Sequence, residues 1–489
     1  MAVISPHQVQ ACDIFARHWS CWSSDDDRYG NIMTTLQFLG ATRSVTGSCF
    51  FLEQGRSHIL IDCGLVQGSH EATARNRLPF PFDPSAIDAV VLSHAHLDHT
   101  GLTPRLMAEG FHGRIVTTGI TKELLPVLWD DYVRIQRSDA HASHRGQAPS
   151  ALYSNREVDA ALGRCEGHLY DKVVNLSPSC RVRFLDAGHI LGSAIVEVWI
   201  DDESRERKLV FSGDLGHRDK PIVRDPTLVT DADVLLLEST YGDRNHKSKA
   251  DTLAELGHVI AETLSAGGTV LMPVYAIGRS QDVLYMIHQL TLNGILDRPR
   301  VFLDSPMAIR AAEVYGRHVE VFDEEAVGLI RHPPKNSRAP LVQFTESPAA
   351  SRALARLNGV IILAGSGMCE GGRIQEHLAR HLDDPRSCVI FTGYQVEGTL
   401  GRRLVDGLSP VKIMGTLMPV KAKVHTINGL SAHADQTGLL EWVGGFRDPK
   451  PQTFLVHGEE QKMTVLAAAL QERYGIKAMM PTWQERVIL

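Results

Sequence analysis

The sequence contains little that would anchor it in a membrane or cross-link it by disulfides. In its 489 residues no apolar run approaches the roughly 20 residues that a membrane-spanning helix needs. Its eight cysteines include no C-x-x-C pair, which excludes a disulfide framework and a zinc finger of the usual spacing. We therefore expect a protein without a membrane partner, located in a reducing cytoplasm.

An excess of basic charge is also missing. The chain carries 50 lysines and arginines against 57 aspartates and glutamates, for a net charge of −7. This balance argues against a chain that coats nucleic acid electrostatically, although it permits a local basic cleft. A hydrophobic content of 43% is ordinary for a globular protein, and the length allows two or three domains.

The first 32 residues differ from the rest of the chain. They have no basic segment leading into an apolar one, as a signal peptide would, and they show no helical or strand periodicity. At Met33 a strand, a glycine turn and a second strand begin. We expect residues 1–32 to be a poorly ordered extension.

The stretch VVLSHAHLDHTG, residues 90–101, contains three histidines and one aspartate directly after an apolar segment typical of a buried strand. A single histidine in this position is usually structural. Here His94 and His96 alternate, so both side chains can point the same way, while Asp98 and His99 follow at the start of a helix. This pattern indicates a metal site and has enough ligands for two ions.

Other polar residues also stand at or just beyond predicted strand ends. Any one of them could be only a turn or helix cap. Together they predict a single polar rim at one edge of an αββα sheet sandwich, where functional sites are commonly built. They are Asp62, His189, Asp214, Glu238, His433 and His457.

These motifs resemble a known family. HAHLDH matches the HxHxDH signature of the metallo-β-lactamase fold. Glu238, His433 in SAHAD and His457 in LVHGE resemble motifs A, B and C of its β-CASP subfamily, the nucleic-acid-processing members, which include the nuclease subunit of the eukaryotic cleavage and polyadenylation specificity factor. LESTYGDR, LAGSGMCEGGR and TGYQVEGTLGRRL are similar too. The resemblance covers residues 33–489.

The resemblance implies an α/β fold, a metallo-β-lactamase αββα sandwich with an inserted β-CASP α/β domain. The sandwich would take residues 33–245 and a return segment at 409–489, and the β-CASP domain would take residues 246–408. Alternating strand and helix patterns in the inserted stretch independently predict a parallel sheet. The active site would lie in the cleft between the two domains.

The resemblance also implies two zinc ions, although these residue types suit Mn²⁺ as well. A hydroxide bridging the metals would attack phosphorus, with Asp62 and Asp98 orienting the hydroxide and its proton, Asp62 from behind the metal ligands. His433 would be the general acid that protonates the leaving group, held by Glu238. One ion would be bound by His94, His96 and His189 and the other by Asp98, His99 and His457, with Asp214 bridging both.

Substrate phosphates need binding groups of their own. The turn after a predicted strand at Ser366 and Gly367 could hold a phosphate through its backbone N–H groups and the serine hydroxyl. Arg279, Arg310 and Lys421 are candidates for a local basic surface, although most such charges are merely solvated.

We interpret the chain as a zinc-dependent, endonucleolytic ribonuclease acting on single-stranded RNA. His457 at motif C favours RNA, because DNA-processing relatives tend to carry another residue there. The alternatives are a DNA nuclease of the same fold and a 5′-exoribonuclease. A non-catalytic RNA-binding subunit is disfavoured by the intact ligand set. The sequence leaves a homodimer open.

Overall fold

The computed structural model describes residues 33–68, 70–142, 150–201, 205–331, 339–354, 356–393 and 395–489. The extension that we expected at residues 1–32 lies outside these ranges. Within them, no helix combines the length and apolar character that crossing a bilayer requires.

The first sheet has seven strands in the order β21-β1-β2-β3-β4-β5-β6. The last four strands in this order, β3 to β6, run parallel, so β3 and β4 present their carboxyl ends to the same edge. The buried strand predicted just before His94 is β4. The strands are β1 Thr34–Phe38, β2 Phe50–Gln54, β3 Ser57–Ile61, β4 Ala89–Val91, β5 Arg114–Thr118, β6 Cys165–His168 and β21 Arg486–Ile488.

The second sheet has six strands in the order β20-β11-β10-β9-β8-β7. β10, β11 and β20 are parallel, and β8 shares their direction because two antiparallel pairings separate it from β10. The strands are β7 Val173–Ser177, β8 Cys180–Asp186, β9 Ala194–Asp201, β10 Glu206–Phe211, β11 Val234–Glu238 and β20 Gln452–Val456.

These two sheets pack face to face around an aromatic core. Phe38 and Phe50 of the first sheet meet Phe454 and Phe211 of the second, with ring centroids 5.1 and 5.2 Å apart. Alternate residues of each strand point into this core, as a two-sheet sandwich requires.

Helices cover both outer faces and complete the αββα sandwich. The first sheet is covered chiefly by α3 to α5, and the second by α13 and α14. The predicted fold class is therefore confirmed. The helices before the third sheet are α1 His70–Ala74, α2 Leu97–Thr100, α3 Thr103–Ala108, α4 Gly119–Ala142 and α5 Asn155–Gly163; those after it are α13 Gln436–Gly444 and α14 Glu460–Tyr474.

A third sheet, all parallel, forms the inserted domain in the order β14-β13-β15-β12-β16-β19. The helices α6 and α7 cover one face, and α11 and α12 cover the other. The strands are β12 Val270–Pro273, β13 Arg300–Asp304, β14 Leu341–Phe344, β15 Ile361–Ala364, β16 Cys388–Phe391 and β19 Lys423–Thr426, with a hairpin of β17 Val411–Ile413 and β18 Thr416–Met418. The helices are α6 Lys249–Ser265, α7 Arg279–Leu292, α8 Pro306–Arg317, α9 Glu324–Arg331, α10 Pro348–Leu354, α11 Arg373–His381 and α12 Leu400–Val405.

The last strand of this sheet lies beyond the boundary that we predicted at residue 408. β19 pairs with β16 along its whole length, although the sequence analysis assigned its residues to the return segment of the sandwich. The chain thus returns to the first domain only after Thr426. An apolar strand pattern does not say which of two sheets it will join, and this explains the difference.

The two domains are joined by close contacts beside the carboxyl edge of the second sheet. A side chain on Gly278 would come within 2.8 Å of Ile190, so the loop before α7 needs a glycine there. The hydroxyl of Tyr315 accepts a hydrogen bond from the N–H of Leu191 at 3.2 Å. These contacts hold the start of α7 and the end of α8 against the loop that follows β8.

A buried ion pair reinforces this junction. Lys220 of the first domain donates to both carboxylate oxygens of Asp282 on α7, at 2.8 and 3.1 Å, and both side chains are almost fully buried. Neither charge can recover its hydration if the partner is lost. The pair therefore fixes the position of α7 relative to the sandwich.

Replacing Lys220 by methionine should lower the free energy of unfolding by about 3–5 kcal/mol, because it leaves a buried carboxylate unpaired. The matched control is Lys247→Met, since Lys247 pairs with Glu255 at 2.7 Å on the surface. That change should cost no more than about 1 kcal/mol. Denaturant titration measures both values, and equal losses in the two variants would contradict the role of Lys220.

Candidate metal centre

The polar residues predicted at strand ends lie together, because the strands that carry them point to one edge. Asp62 follows β3 and His94 follows β4, which are parallel neighbours in the first sheet. In the second sheet the corresponding edge follows β8, β10, β11 and β20, and it carries His189, Asp214, Glu238 and His457.

One set of donor atoms converges between the two sheets. His94 Nε2 lies 3.1 Å from His96 Nδ1, and His189 Nε2 lies 3.3 Å from the same His96 atom. Asp214 Oδ2 completes the set, at 3.5 Å from His94 and 3.6 Å from His189. These four residues form the first ligand group.

A second set lies beside it. His99 Nε2 is 3.3 Å from His457 Nε2, and Asp98 Oδ2 is 3.5 Å from the same His457 atom. Asp214 Oδ1 faces this set, at 3.3 Å from His99 Nε2 and 3.5 Å from the other ring nitrogen of His457, Nδ1. The two oxygens of Asp214 are therefore divided between the two groups.

The chemistry of these atoms fits metal ions better than hydrogen bonding alone. Asp214 Oδ1 is buried and has no hydrogen-bond partner within the described ranges. A tetrahedral zinc ion with bonds of about 2.0–2.1 Å separates its ligand atoms by about 3.3 Å, which is close to the spacing seen in both groups. The cluster can bind metal, and its nitrogen and carboxylate donors suit zinc.

Electrostatics in the first group favours metal binding. Burial lowers the pKa of His94 and His189 well below the usual histidine value, and it lowers the pKa of His96 to about 4. These three imidazoles are consequently neutral at physiological pH. Neutral imidazole is the form that binds a metal ion.

The second group contains a histidine of the opposite character. Burial acts to lower the pKa of His99, but the carboxylates of Asp214 and Asp62 outweigh it and raise that pKa well above the usual value. Asp214 itself is held ionised against burial by His457 and His99, which lower its pKa well below the usual range. Metal binding to this group must therefore displace a proton from His99.

Asp62 stands behind the ligands. Its Oδ2 lies 2.6 Å from His99 Nδ1 and also accepts hydrogen bonds from the hydroxyls of Ser93 and Ser48, while its Oδ1 accepts from the Ser93 N–H. Each carboxylate oxygen is thus engaged by protein groups. Asp62 thus lies behind the candidate ligands, as predicted, with its closest contact to the ring of His99.

Two of these positions have left-handed backbone conformations. Asp62 has φ of 57° and His457 has φ of 50°, which non-glycine residues seldom adopt. Both follow a buried strand and turn the chain sharply at its end, and the N–H of His457 is held by the carbonyl of Ala41 at 2.8 Å. Strain of this kind concentrates at functional sites.

His433 and Glu238 form a pair at the margin of the cluster. His433 Nδ1 lies 3.2 Å from Glu238 Oε1 and 3.9 Å from Asp214 Oδ2. Glu238 is fully buried and its two oxygens accept from the N–H groups of Leu215 and Thr240. Burial lowers the pKa of His433, but Glu238 and Asp214 outweigh it and raise the value to about 9.

Of the residues proposed to bind phosphate, three follow strands β12 and β15 at the carboxyl edge of the third sheet. Gly367 packs against Tyr275. Burial is the largest influence on the pKa of the Tyr275 phenol and raises it, while the charge of Arg279 lowers this pKa and that of Asp98 raises it further. The hydroxyl of Ser366 and Nη1 of Arg279 are both buried without a hydrogen-bond partner among the described residues. Polar atoms left in this state are suited to a ligand that brings its own partners.

The other two lie elsewhere. Arg310 on α8 faces Asp130 of α4, with 3.7 Å between their charged atoms, at the contact between the domains. Lys421 precedes β19 and pairs with Asp383 at 2.7 Å, at the amino edge of the third sheet and so opposite the cleft. Neither position supports the phosphate-binding role that the sequence suggested. The sequence could not exclude these two residues, because residue type alone does not indicate how far a lysine or arginine lies from the cleft.

The sequence analysis missed several residues that support the cluster. Ser93 bonds to Asp62, and the Thr240 hydroxyl lies 3.2 Å from His457 Nδ1. The carbonyl of Ala432 lies 3.2 Å from His189 Nδ1. Each is adjacent in sequence, or nearly so, to a residue that had been singled out, and this proximity is the only signal that could have found them.

Comparison with known proteins agrees with this geometry. Residues 43–262 match the metallo-β-lactamase superfamily, residues 280–404 the β-CASP domain, and residues 417–481 the Zn-dependent metallo-hydrolase RNA specificity domain. Ribonuclease TTHA0252 of Thermus thermophilus is 39% identical over 89% of this chain and 95% of its own length. The chain belongs to the β-CASP family of the metallo-β-lactamase superfamily. It is accordingly a metal-dependent hydrolase.

Archaeal proteins are among the other relatives. Transcription termination factor FttA of Methanosarcina mazei is 31% identical over 96% of this chain and 73% of its own length. The crystal structure of an Enterococcus faecalis protein of unknown function covers 94% of this chain and 100% of its own, with a TM-score of 0.53 and 15% identity. That last likeness concerns the fold alone.

Proposed function

We propose that this β-CASP protein is a zinc-dependent ribonuclease that hydrolyses phosphodiester bonds within single-stranded RNA. The observation that carries the proposal is the division of Asp214 between two ligand groups, with His433 and Glu238 directly beside them. Its similarity to a ribonuclease over nearly the whole of both chains supports RNA as the substrate.

The residues would hold two ions. When bound, zinc lowers the pKa of a coordinated water to about 7 and polarises a phosphoryl oxygen. Asp214 contributes one oxygen to each ligand group. The proposed ligands are His94, His96, His189 and Asp214 for one ion and Asp98, His99, His457 and Asp214 for the other.

The remaining steps use the chain's own groups. Asp98 is the more exposed of the two carboxylates among the proposed ligands, with 19% of its side chain accessible, and would orient the attacking water. Asp62 keeps the ring of His99 in place. On the opposite side the imidazolium of His433 donates its proton to the departing alkoxide, and Glu238 holds the ring by Nδ1 so that Nε2 is the donating atom.

The phosphate backbone would be held from the second domain. The Ser366 hydroxyl and Nη1 of Arg279, both unpartnered among the described residues, suit phosphate oxygens, since each can donate hydrogen bonds to an anion. Because these contacts go to the backbone, they position the strand without reading its sequence. Experiment has to separate this function from three alternatives, namely Mn²⁺ in place of zinc, a DNA substrate, and cleavage from the 5′ end. Whether the protein forms a homodimer is a separate question.

The deciding experiment compares linear and circular strands. Wild-type protein is incubated with end-labelled RNA and DNA of one sequence and with the same RNA closed into a circle, and Asp214→Ala serves as the blank. We expect internal cuts in both RNA forms, because a circle has no end to attack. Cleavage of linear RNA alone would indicate an exonuclease, and cleavage of DNA alone would overturn the proposal.

A further inference from the structure

Tyr275 is an aromatic residue in the cleft whose surroundings suggest a ligand. It lies two residues beyond β12, at the carboxyl edge of the third sheet. Its carbonyl accepts hydrogen bonds from the Ser280 N–H at 3.2 Å and the Ser280 hydroxyl at 2.6 Å, so the backbone is fixed. Nevertheless 47% of the residue remains exposed.

One face of the Tyr275 ring is covered by Gly367. A Cβ built on Gly367 would lie 3.0 Å from Cε2 and 3.1 Å from both Cδ2 and Cζ of the ring. Nearly equal distances to three adjacent ring atoms put the glycine over the face, since an edge contact would be much closer to one atom than to its neighbours. The exposed area therefore belongs chiefly to the opposite face and the hydroxyl end.

Two charged groups of the proposed site act on the Tyr275 phenol. Burial raises the pKa of the Tyr275 phenol to about 12, with the charge of Arg279 opposing this change and that of Asp98 adding to it. Asp98 belongs to the candidate metal centre, and Arg279 is a candidate phosphate-binding residue. The charges of one group that would hold the backbone and of one group that would hold the metal thus both act on Tyr275.

We propose that the open face of Tyr275 is a stacking platform for one nucleobase next to the scissile phosphate, with Gly367 supporting the ring from behind. The proposal rests on the proposed function and adds the position of a base to it. Aromatic side chains bind single strands by stacking, which every base can provide and which places no demand on sequence. Stacking would position the nucleotide, while Ser366 and Arg279 hold its phosphate.

The hydroxyl of Tyr275 could alternatively donate a hydrogen bond to phosphate, and two substitutions separate the roles. Tyr275→Phe keeps the ring and removes the hydroxyl, whereas Tyr275→Leu removes the ring but keeps an apolar side chain. The matched control is Phe344→Leu, because Phe344 is 50% exposed on β14, the edge strand far from β12. Metal content per chain is measured for each protein.

The substrates are an intact single-stranded RNA and a series of the same RNA in which one position at a time carries an abasic ribose. For intact RNA, we expect Tyr275→Leu to raise KM about tenfold, equivalent to about 1.4 kcal/mol. The KM of Tyr275→Phe and of Phe344→Leu should stay near that of the wild type, and so should the metal content of all three variants. At one abasic position the KM of the wild type should rise by the same factor, and the KM of Tyr275→Leu should rise no further. This non-additivity identifies the stacked base.

Three results would overturn the inference while leaving the proposed function intact. The first is an unchanged KM in Tyr275→Leu. The second is an equal loss in Tyr275→Phe, which would assign the role to the hydroxyl. The third is a tenfold higher KM of Tyr275→Leu than of the wild type on every abasic strand. That result would mean that Tyr275 acts on the fold or the metal centre. A wild-type protein that cuts no RNA would overturn the proposed function, and this inference with it.

Discussion

Asp214→Ala is expected to abolish activity and to lower metal affinity by more than the about 10–100-fold that is typical of residues behind the ligands. The reason is geometric, because the two oxygens of Asp214 serve different ligand groups and no neighbouring carboxylate can replace both. Inductively coupled plasma mass spectrometry gives the metal content, and cleavage of labelled RNA gives the activity.

Two other aspartates calibrate this result. Asp62→Asn should reduce metal affinity or activity by about 10–100-fold, since it weakens the hold on His99 but removes no ligand. Asp231→Ala should change neither, because Asp231 is exposed and its partner Lys208 keeps Glu197 at 2.7 Å. If Asp214→Ala kept its full metal content, the bridging role would be wrong.

His433→Ala is expected to keep its metal but to lose turnover by about 10²–10⁴-fold, the usual contribution of a general acid. The imidazole is paired with Glu238 rather than enclosed by the main ligand groups, which is why metal should remain. Loss of metal in parallel with activity would instead identify His433 as a ligand, an arrangement that its approach to Asp214 and His457 would permit.

Glu238→Gln supplies a pH readout for the same pair. As a proton donor His433 must be protonated, so activity should fall as the pH rises through its pKa of about 9. Burial lowers that pKa, and Glu238 is the largest influence that raises it. In the variant the alkaline decline in activity should therefore begin at a lower pH than in the wild type. An unchanged alkaline limb would argue against His433 as the acid.

Much of the centre could be predicted from the sequence because its residues occupy strand ends. A run such as VVLSHAHLDHTG carries its own evidence, since a buried strand must end and polar ligands there have few structural explanations. Asp62, Asp214 and Glu238 follow the same rule, and parallel strands bring all of them to one edge. Backbone topology thus converts a one-dimensional pattern into proximity.

Contacts between the domains could not be predicted in this way. Lys220 and Asp282 look like ordinary surface charges in the sequence, yet they form a buried pair. Lys421 looked like a phosphate ligand and lies at the opposite edge of the third sheet. Tyr275 stands in the motif PVYAIGRSQ without any aromatic pattern around it. Such positions depend on how one domain sits on another, which strand and helix periodicity does not encode.

The order of the chain has a consequence for biosynthesis. His433 and His457 come after the whole inserted domain, and the last strand, β21, pairs with the first, Thr35 opposite Ile488. A ribosome that has translated only as far as the third sheet has made most ligands but neither of these histidines. The hydrolytic centre can form only after the chain has been translated beyond His457, so the messenger and ribosomal RNA around the nascent chain are not exposed to it before that point.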